Sequence, residues 1–314
     1  MRARSGFGNA CVIATVLCAA LTACSSQAPV EGSVPESLIY DERAGRVVSE
    51  SELVEALSLA RYRLLGEIHD NPAHHVVRAR LISRLAARGV RAAVVFEQFD
   101  LDNDQALRAA QAAGADAEQL AEAGRLDRKA WSWPMHKTIL EAALSAHLPV
   151  RAANLPRAVL RGDLRALDHD ATAAWYARFH AASWTDAQGA ELRADIVESH
   201  CGKLPEVVVP RLVLAQRMRD AAMAQALVDA ATADGAILIA GDGHVRADLG
   251  VPVYLHARGM PDAGAPSLSV GFVEASPAEE AAPDFPQGLV AAHPGLDFVV
   301  FTPPMRREDP CAAL

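Results

Sequence analysis

The sequence predicts an α/β protein with a mainly parallel sheet flanked by helices and a smaller all-helical insertion. Short apolar runs alternate with longer helical patterns, which is the order that a parallel sheet requires, since helices usually connect its strands. The 314 residues are 51% hydrophobic, which is enough for a large core. This length suits one large domain, or one domain that carries an insertion.

Six short segments have the composition and flanking residues of β-strands. They are residues 61–65, 91–96, 149–153, 236–240, 267–274 and 297–302. A helix is predicted between the first two strands, over residues 72–88. Asp70 or Asn71 is its candidate N-cap, and Pro72 occupies the first helical position. This strand–helix–strand order predicts parallel pairing.

Residues 156–232 have helical patterns and no strand pattern. We therefore expect a helical insertion there, and an α/β core made of residues 38–155 and 233–314. Residues 164–180 of the insertion contain Asp168, Trp175 and Phe179 beside a polar stripe. The stripe lies on one helical face and consists of His169, Thr172, Tyr176 and His180. Such a face could stack on a flat macrocycle and reach its iron; the alternative is a surface helix with buried aromatic residues.

The start of the chain resembles the leader of a bacterial lipoprotein. Arg2 and Arg4 precede an apolar run, residues 11–23, that is too short to span a bilayer. The run ends in the sequence LTAC, the lipobox pattern in which the final cysteine is acylated. We therefore expect residues 1–23 to be a signal peptide and Cys24 to carry lipid. An ordinary signal peptide or an uncleaved anchor is the alternative.

Residues 24–37 are polar and contain proline, which predicts a lipidated tether. Ser25 favours the outer membrane, so we expect a lipid-anchored protein that faces the periplasm or the cell surface. The formal net charge is -9, and it becomes -11 when the two leader arginines are removed. A chain this acidic repels nucleic acid, and nucleic-acid binding is not expected.

The five cysteines separate by position. Cys11 and Cys18 belong to the leader and Cys24 to the lipobox, which leaves Cys201 and Cys311. In an oxidising compartment this pair predicts a disulfide. Two free thiols or a soft metal site are the alternatives.

Polar residues follow four of the predicted strands at their carboxyl ends. Glu67 and His69 follow the first strand, Glu97 the second, Asn154 the third, with Arg157 close behind, and His244 the fourth. Ligands of open α/β sheets bind beyond these strand ends, so the segments should meet around one crevice. Glu67, His69, Glu97 and His244 are therefore candidate catalytic residues, and Glu67, His69 and His244 are candidate metal ligands.

Each of these residues alone is a weak signal, because a histidine after a strand is more often packed or capping. His74 and His75 fall in the first turn of the predicted helix and could face either inward or into solvent. Gly241 and Gly243 lack the third glycine of a dinucleotide-binding turn.

Seven segments, in order along nearly the whole mature chain, resemble one known family. They are LLGEIHDNPAHHVVRARLI, VVFEQFD, LPVRAANLPRAV, SHCGKLPE, AQRMRDAAMA, ILIAGDGHVRADLGVPVYL and DFVVFTPPMRREDPC. The family is that of the ChaN haem-binding lipoproteins, in a superfamily shared with the Tiki metalloproteases and the erythromycin esterases. The superfamily's G-E-x-H turn matches Gly66, Glu67 and His69, and its Gly-His turn matches Gly243 and His244.

The resemblance implies an outer-membrane lipoprotein for iron or haem uptake, with an α/β core and a smaller helical domain. It also implies a homodimer that holds haem between its protomers, with a tyrosine ligand to the iron and histidine nearby. Tyr176 is the candidate ligand because it lies in the insertion beside His180, with His169 on the same face. Tyr40, Tyr62 and Tyr254 are the alternatives, although Tyr62 and Tyr254 fall in or near predicted strands, where a core role is expected.

Two functions therefore compete. The first is non-covalent haem binding, since the chain has no Cys-x-x-Cys-His motif, with an outer-membrane haem or iron receptor as an expected partner. The second is a metal-dependent hydrolase in which the strand-end Glu and His residues act around a divalent ion. A lipoprotein scaffold that binds neither ligand is a third interpretation.

Overall fold

The structure is a computed structural model that describes residues 37–156, 159, 182–257, 266–308 and 311. The expected signal peptide, Cys24 and most of the tether lie outside these residues. The predicted polar stripe of the insertion, with its candidate haem residues Tyr176, His180 and His169, also lies outside them, as does Arg157.

Eight strands form one mixed sheet. They are β1 (Ile39–Asp41), β2 (Arg46–Val48), β3 (Tyr62–Leu65), β4 (Ala93–Asp100), β5 (Val150–Asn154), β6 (Ala236–Ile239), β7 (Ser267–Glu274) and β8 (Phe298–Thr302). Their order across the sheet is β2-β1-β8-β7-β3-β6-β4-β5. The pairs from β8 to β5 are parallel, and only β1 pairs antiparallel, with β2 and β8. The predicted α/β class with a mainly parallel sheet is confirmed.

All six predicted strands are present within a few residues of their predicted bounds. The largest difference is in β4, which was expected to end at residue 96 and continues to Asp100. Its pairing with β5 shifts between Phe96 and Asp100, so the continuation is irregular and Glu97 still lies where the regular pairing ends. The sequence pattern missed β1 and β2, because three-residue strands are too short to display a period.

The helices of the described residues lie before, between and after these strands. They are α1 (Glu50–Leu59), α2 (Pro72–Ala87), α3 (Asp104–Ala112), α4 (Ala117–Ala123), α5 (Lys137–Ser145), α6 (Asp186–Ser199), α7 (Val209–Ala230), α8 (Asp242–Val245), α9 (Val251–Leu255), α10 (Pro277–Glu280) and α11 (Gln287–Ala291). Within this part of the chain, no helix combines the length and the hydropathy needed to cross a bilayer.

Alternating side chains of the central strands separate two hydrophobic cores, one on each face of the sheet. In β6, Ile237 and Ile239 face the core that contains α1, α2 and α5, whereas Leu238 faces the core that contains α7. This follows from the two-residue period of a strand.

Helix α7 lies within the region predicted as an insertion, yet its buried residues Met223 and Leu227 pack directly on the sheet.

Helix α2 begins immediately beyond the end of β3, where the site residues lie. The Asn71 side chain accepts a hydrogen bond from Ala73 N at 2.9 Å, and Pro72 takes the first helical position. Asn71 is therefore the N-cap, rather than Asp70. Asp70 instead forms a two-bond ion pair with Arg307 of the C-terminal segment, which also pairs with Glu274 at the end of β7.

A disulfide joins Cys201, just beyond α6, to Cys311, with 5.6 Å between the Cα atoms. The cross-link spans 110 residues and would stabilise the chain by roughly 4–5 kcal/mol in the chain-entropy model. The disulfide connects the C-terminal segment to the end of α6, and Arg307 connects it to Asp70 and to the end of β7.

Gly66, at the end of β3, has no room for a side chain. A Cβ atom there would lie 1.9 Å from Oδ1 of Asp242, whose carboxylate accepts hydrogen bonds from Phe272 N. The turn before Glu67 therefore depends on close contact between two strand ends.

We expect Gly66→Ala to lower the free energy of unfolding by about 1–3 kcal/mol, because the buried Asp242 would have to move. Gly189→Ala, in α6, is the matched control, since a Cβ there meets nothing within 4 Å. That change should stabilise the protein by about 0.5–1 kcal/mol through helix propensity. Urea denaturation of both variants measures the difference, and equal effects would contradict this account of Gly66.

Candidate functional site

The ends of β3, β4 and β6 bring together the four residues predicted as a catalytic group. Gly241 N, after β6, donates a 2.9 Å hydrogen bond to Oε2 of Glu97 on β4. Asp242 N donates at 3.0 Å to the carbonyl of Glu67, after β3. A Cβ at Gly241 would lie 3.0 Å from the ring of His69. The parallel strand ends therefore meet as the sequence predicts, and the side chains divide into two neighbouring clusters.

The first cluster is centred on the Glu67 carboxylate, which is almost fully buried. Its Oε1 atom lies 2.6 Å from Nδ1 of His69 and accepts a hydrogen bond from Gln98 at 3.1 Å. Its Oε2 atom forms an ion pair with Arg78, a guanidinium with no exposed surface. A buried carboxylate is costly unless it is paired, and Arg78 supplies that pairing.

Two further histidines face Glu67 from α2 and from the start of α5. His75 Nδ1 lies 3.4 Å from Oε2, and His136 Nε2 lies 3.1 Å from Oε1. Glu67, His75 and His136 offer one ligand atom each within 4.8 Å of one another, which is the spacing of a metal-binding group. The candidate metal set predicted from the sequence is different, because the structure places His244 in the second cluster.

The hydrogen bonds at the far side of each ring determine which nitrogen carries the proton. His75 Nε2 donates to the carbonyl of His69 at 2.9 Å, and His136 Nδ1 donates to that of Trp131 at 2.9 Å. The nitrogens that face Glu67 are therefore lone-pair acceptors when the rings are neutral. Burial lowers the pKa of both His75 and His136 to about 3, which favours the neutral rings.

His74 is buried as well, but it has a structural role. Ile68 N donates to its Nδ1 at 2.9 Å, and its Nε2 lies 2.8 Å from the Thr302 hydroxyl. Both neighbouring histidines therefore face inward, which settles the two orientations left open by the sequence. His69 is the member of the first cluster that reaches solvent, with 44% of its side chain exposed and its ring against the edge of Trp131.

The second cluster is a chain of carboxylate, imidazole and carboxylate. His244 Nε2 lies 3.3 Å from Oε1 of Glu97, and its Nδ1 lies 2.5 Å from Oδ1 of Asp220 on α7. Burial alone would lower the pKa of His244, but the two carboxylates outweigh it and raise that pKa to about 10. Burial raises the pKa of Asp220 to about 6. At neutral pH, His244 is therefore an imidazolium held between two carboxylates.

Glu97 is correspondingly a stable carboxylate. Burial opposes its ionisation, but the His244 charge and the Gly241 N–H together hold its pKa well below its usual range. The two clusters thus give Glu67 and Glu97 different partners, a guanidinium in one case and an imidazolium in the other.

A polar cleft of about 370 Å³ opens beside Glu97 and Gln98. Asn154, predicted to border the crevice, lines this cleft with Trp131 and Arg219. A wider groove of about 820 Å³ lies among α3, α4 and α5, away from both clusters. Within the described residues, the cleft beside Glu97 gives a small molecule access to the carboxyl end of β4.

Three participants were missed by sequence reasoning. His136 is distant in sequence from the motif positions, Arg78 follows them on the next helix, and Asp220 lies in the middle of a long helix. One available signal was the spacing of His75 and Arg78. They are three residues apart and therefore lie on the same face of the predicted helix. Asp220 had no signal, because its contact with His244 depends on how α7 packs on the sheet.

The three tyrosines named as alternatives for haem binding are all buried. Tyr62 and Tyr254 have no exposed surface and Tyr40 is 6% exposed. The Tyr254 hydroxyl accepts a hydrogen bond from Arg217 at 3.2 Å. Their burial confirms the core role expected for Tyr62 and Tyr254.

Comparison with protein-family models identifies residues 53–255 as a match to one family, described as haem-binding uptake, Tiki superfamily, ChaN. The chain belongs to this family. A search of curated protein sequences gave no match. The match extends from α1 to α9 and therefore includes both clusters.

A solved structure supports the same fold. ChaN of Campylobacter jejuni, whose structure is described as showing cofacial haem binding, is 19% identical, with a TM-score of 0.65 over 85% of this chain and 96% of that one. The type III effector HopBA1 is 15% identical, with a TM-score of 0.42 over 81% and 92%. A MARTX toxin effector domain of Vibrio vulnificus is 12% identical, with a TM-score of 0.38 over 80% and 37%. Only the first is similar enough to support the fold.

The charge of His244 predicts how stability depends on pH. An unfolded histidine releases its proton near pH 6.5, whereas folded His244 keeps it to about pH 10. Between these values the folded state binds the extra proton, so stability is fully present below pH 6.5 and falls as the pH rises towards 10. We expect His244→Gln to reduce this decline, as measured by urea denaturation from pH 6 to 10.

His256→Gln is the matched control, because that residue is exposed and its Nε2 lies 2.8 Å from the Ser267 hydroxyl rather than between two carboxylates. The control should keep the wild-type pH dependence. A His244→Gln curve parallel to the wild-type curve would contradict the imidazolium assignment.

Proposed function

We propose that this chain is a haem-binding lipoprotein that holds haem non-covalently and serves haem or iron uptake. Membership of the ChaN family is the observation that carries the proposal. The fold that the chain shares with Campylobacter ChaN supports it, because that protein binds haem cofacially.

Tyr176 is the proposed ligand to the haem iron, with His180 and His169 nearby. The chain contains four tyrosines, and the other three are buried in the core or in a hydrogen bond with Arg217. An external haem requires an accessible ligand, so the burial of these three side chains favours Tyr176. A phenolate is a hard anionic ligand that suits ferric iron, and such a site would capture oxidised haem.

Haemin titration of the mature protein tests this assignment. We expect a saturable change in the Soret band and a high-spin, tyrosinate-type spectrum. Tyr176→Phe should weaken haemin binding by about tenfold or more, equivalent to about 1.4 kcal/mol, because the anionic ligand is removed. Analytical ultracentrifugation of the haemin-loaded protein would show whether two protomers share haem.

Tyr40→Phe is the matched control, because it removes one hydroxyl from a buried β1 residue. It should leave the haemin spectrum unchanged. Wild-type haemin affinity in Tyr176→Phe would overturn the ligand assignment, and no haemin binding by the wild-type protein would overturn the function.

We further propose that Cys24 carries lipid, that residues 1–23 are removed, and that the protein is anchored in the outer membrane. The lipobox sequence and Ser25 support this location. An outer-membrane haem or iron receptor is the partner that such a location suggests.

Cys24→Ser should release the protein from the membrane fraction, because acylation requires the thiol. Fractionation of a bacterial host that expresses each form, together with labelling by a fatty-acid analogue, measures this. Cys201→Ser is the control, since Cys201 is bonded to Cys311 and should not affect labelling. Equal labelling of wild type and Cys24→Ser would contradict lipidation at Cys24.

Acid–base chemistry at the strand ends is the second candidate function. The observation in its favour is the Glu97–His244–Asp220 chain beside a polar cleft, which haem binding does not require. Paired carboxylates and an imidazole suit proton transfer to and from a bound substrate. Hydrolytic activity of this kind would be lost in His244→Gln and would not depend on Tyr176.

A metal-dependent form of that hydrolase fits the first cluster poorly. Glu67, His75 and His136 have suitable donor atoms, but Arg78 already contacts Glu67 and His75. A fixed cation, the Arg78 guanidinium, therefore already contacts two of the three residues that would bind the metal ion.

A further inference from the structure

We propose that the Arg78 guanidinium occupies the position that a divalent cation would take between Glu67, His75 and His136, so that the folded chain excludes metal ions from this cluster. The inference is independent of haem binding, since it concerns the buried cluster at the end of β3. It assigns Arg78 as a positioning residue for Glu67 and His75.

The geometry of the acceptors is the first argument. A carboxylate oxygen and two imidazole lone pairs converge within 4.8 Å, and three acceptors this close repel one another unless a positive group lies among them. The guanidinium provides that group, because its Nη2 atom contacts Oε2 of Glu67 and lies 3.0 Å from Nδ1 of His75. This one nitrogen therefore donates hydrogen bonds to two of the three residues that would bind a metal ion.

The position of Arg78 is the second argument. It lies on α2 one turn after His75, so the helix itself directs both side chains at Glu67. Its side chain has no exposed surface, and therefore the guanidinium has no solvent-facing alternative to which an incoming ion could displace it. Since the pair is enclosed, releasing Arg78 would leave an uncompensated buried charge.

The charge balance is the third argument. A divalent ion added beside a fixed guanidinium would place like charges a few ångströms apart in a buried site, where screening is weak. An arginine guanidinium stays protonated in proteins, so the Arg78 side chain is a cation at neutral pH. A metal ion binds through free lone pairs of its ligands. The Nδ1 lone pair of His75 already accepts a hydrogen bond from Arg78.

Replacing Arg78 should therefore create a metal site. In Arg78→Met the aliphatic volume is retained while the cation is lost. We expect this variant to bind one Co²⁺ per chain at the cluster, seen as visible d–d absorption and as a rise in melting temperature when Co²⁺ is added. Adding His136→Ala to Arg78→Met should weaken Co²⁺ binding by about tenfold or more, since one ligand is removed.

Arg63→Met is the matched control. Arg63 is a second buried arginine, but the hydrogen bonds of its guanidinium to the described residues go to the carbonyls of Leu57, Ser58 and Asp234. Its loss should destabilise the fold without creating a Co²⁺ spectrum. Comparison of the two variants therefore separates general loosening of the core from formation of a ligand set.

The full-length mature wild-type protein provides the second test, which does not depend on any variant folding. With ¹⁵N-labelled histidine, Nδ1 of His75 should show the resonance of an unprotonated, hydrogen-bonded nitrogen, and it should not move when Zn²⁺ is added. Stoichiometric Zn²⁺ or Co²⁺ binding by the wild type that is lost in His75→Ala would overturn the proposal. A folded Arg78→Met variant that binds no Co²⁺ would overturn it equally.

Discussion

The buried carboxylate of Glu67 constrains the whole end of the sheet at which the site lies. It follows directly after β3, at a glycine that leaves no space for another side chain beside Asp242. A carboxylate in this position needs a compensating charge and hydrogen-bond donors from other segments of the chain. Arg78 arrives from α2, Gln98 from β4 and His69 from the connecting turn, while the neutral His136 ring lies beside Oε1. The position of α2 relative to the sheet is tied to this ion pair.

In the second cluster, the negative charges of two carboxylates are compensated by a protonated histidine instead of an arginine. Glu97 and Asp220 are both buried, and the single His244 ring lies between them and carries a proton for both. Because α7 supplies Asp220 and the turn after β6 supplies His244, this contact connects the helix on one face of the sheet to the strand ends. The buried carboxylates Glu67 and Glu97 are thus stabilised separately, Glu67 by a guanidinium and Glu97 by a protonated imidazole.

The proposed haem ligand and this polar edge use different residues. Tyr176 belongs to the predicted helical insertion, whereas Glu67, Glu97 and His244 lie at the carboxyl ends of the strands. Haem binding does not explain why three carboxylates, four histidines and a buried arginine converge there. A strand-end acid–base site retained beside a newer haem surface would account for both features. In that case, a change that abolishes haem binding would leave the Glu97–His244 pair intact.

The sequence by itself determined the α/β class, six of the eight strands, and four residues of the candidate site, because strand ends in a parallel sheet converge whatever the details of packing. Its residue patterns also identified the family. The tertiary structure alone decided that Glu67 and Glu97 belong to separate clusters, that His75 faces inward, and that Arg78 and Asp220 are the compensating charges. These depend on the rotation of α2 and the docking of α7 on the sheet. Such packing arises from contacts between segments far apart in the chain, which no local periodicity encodes.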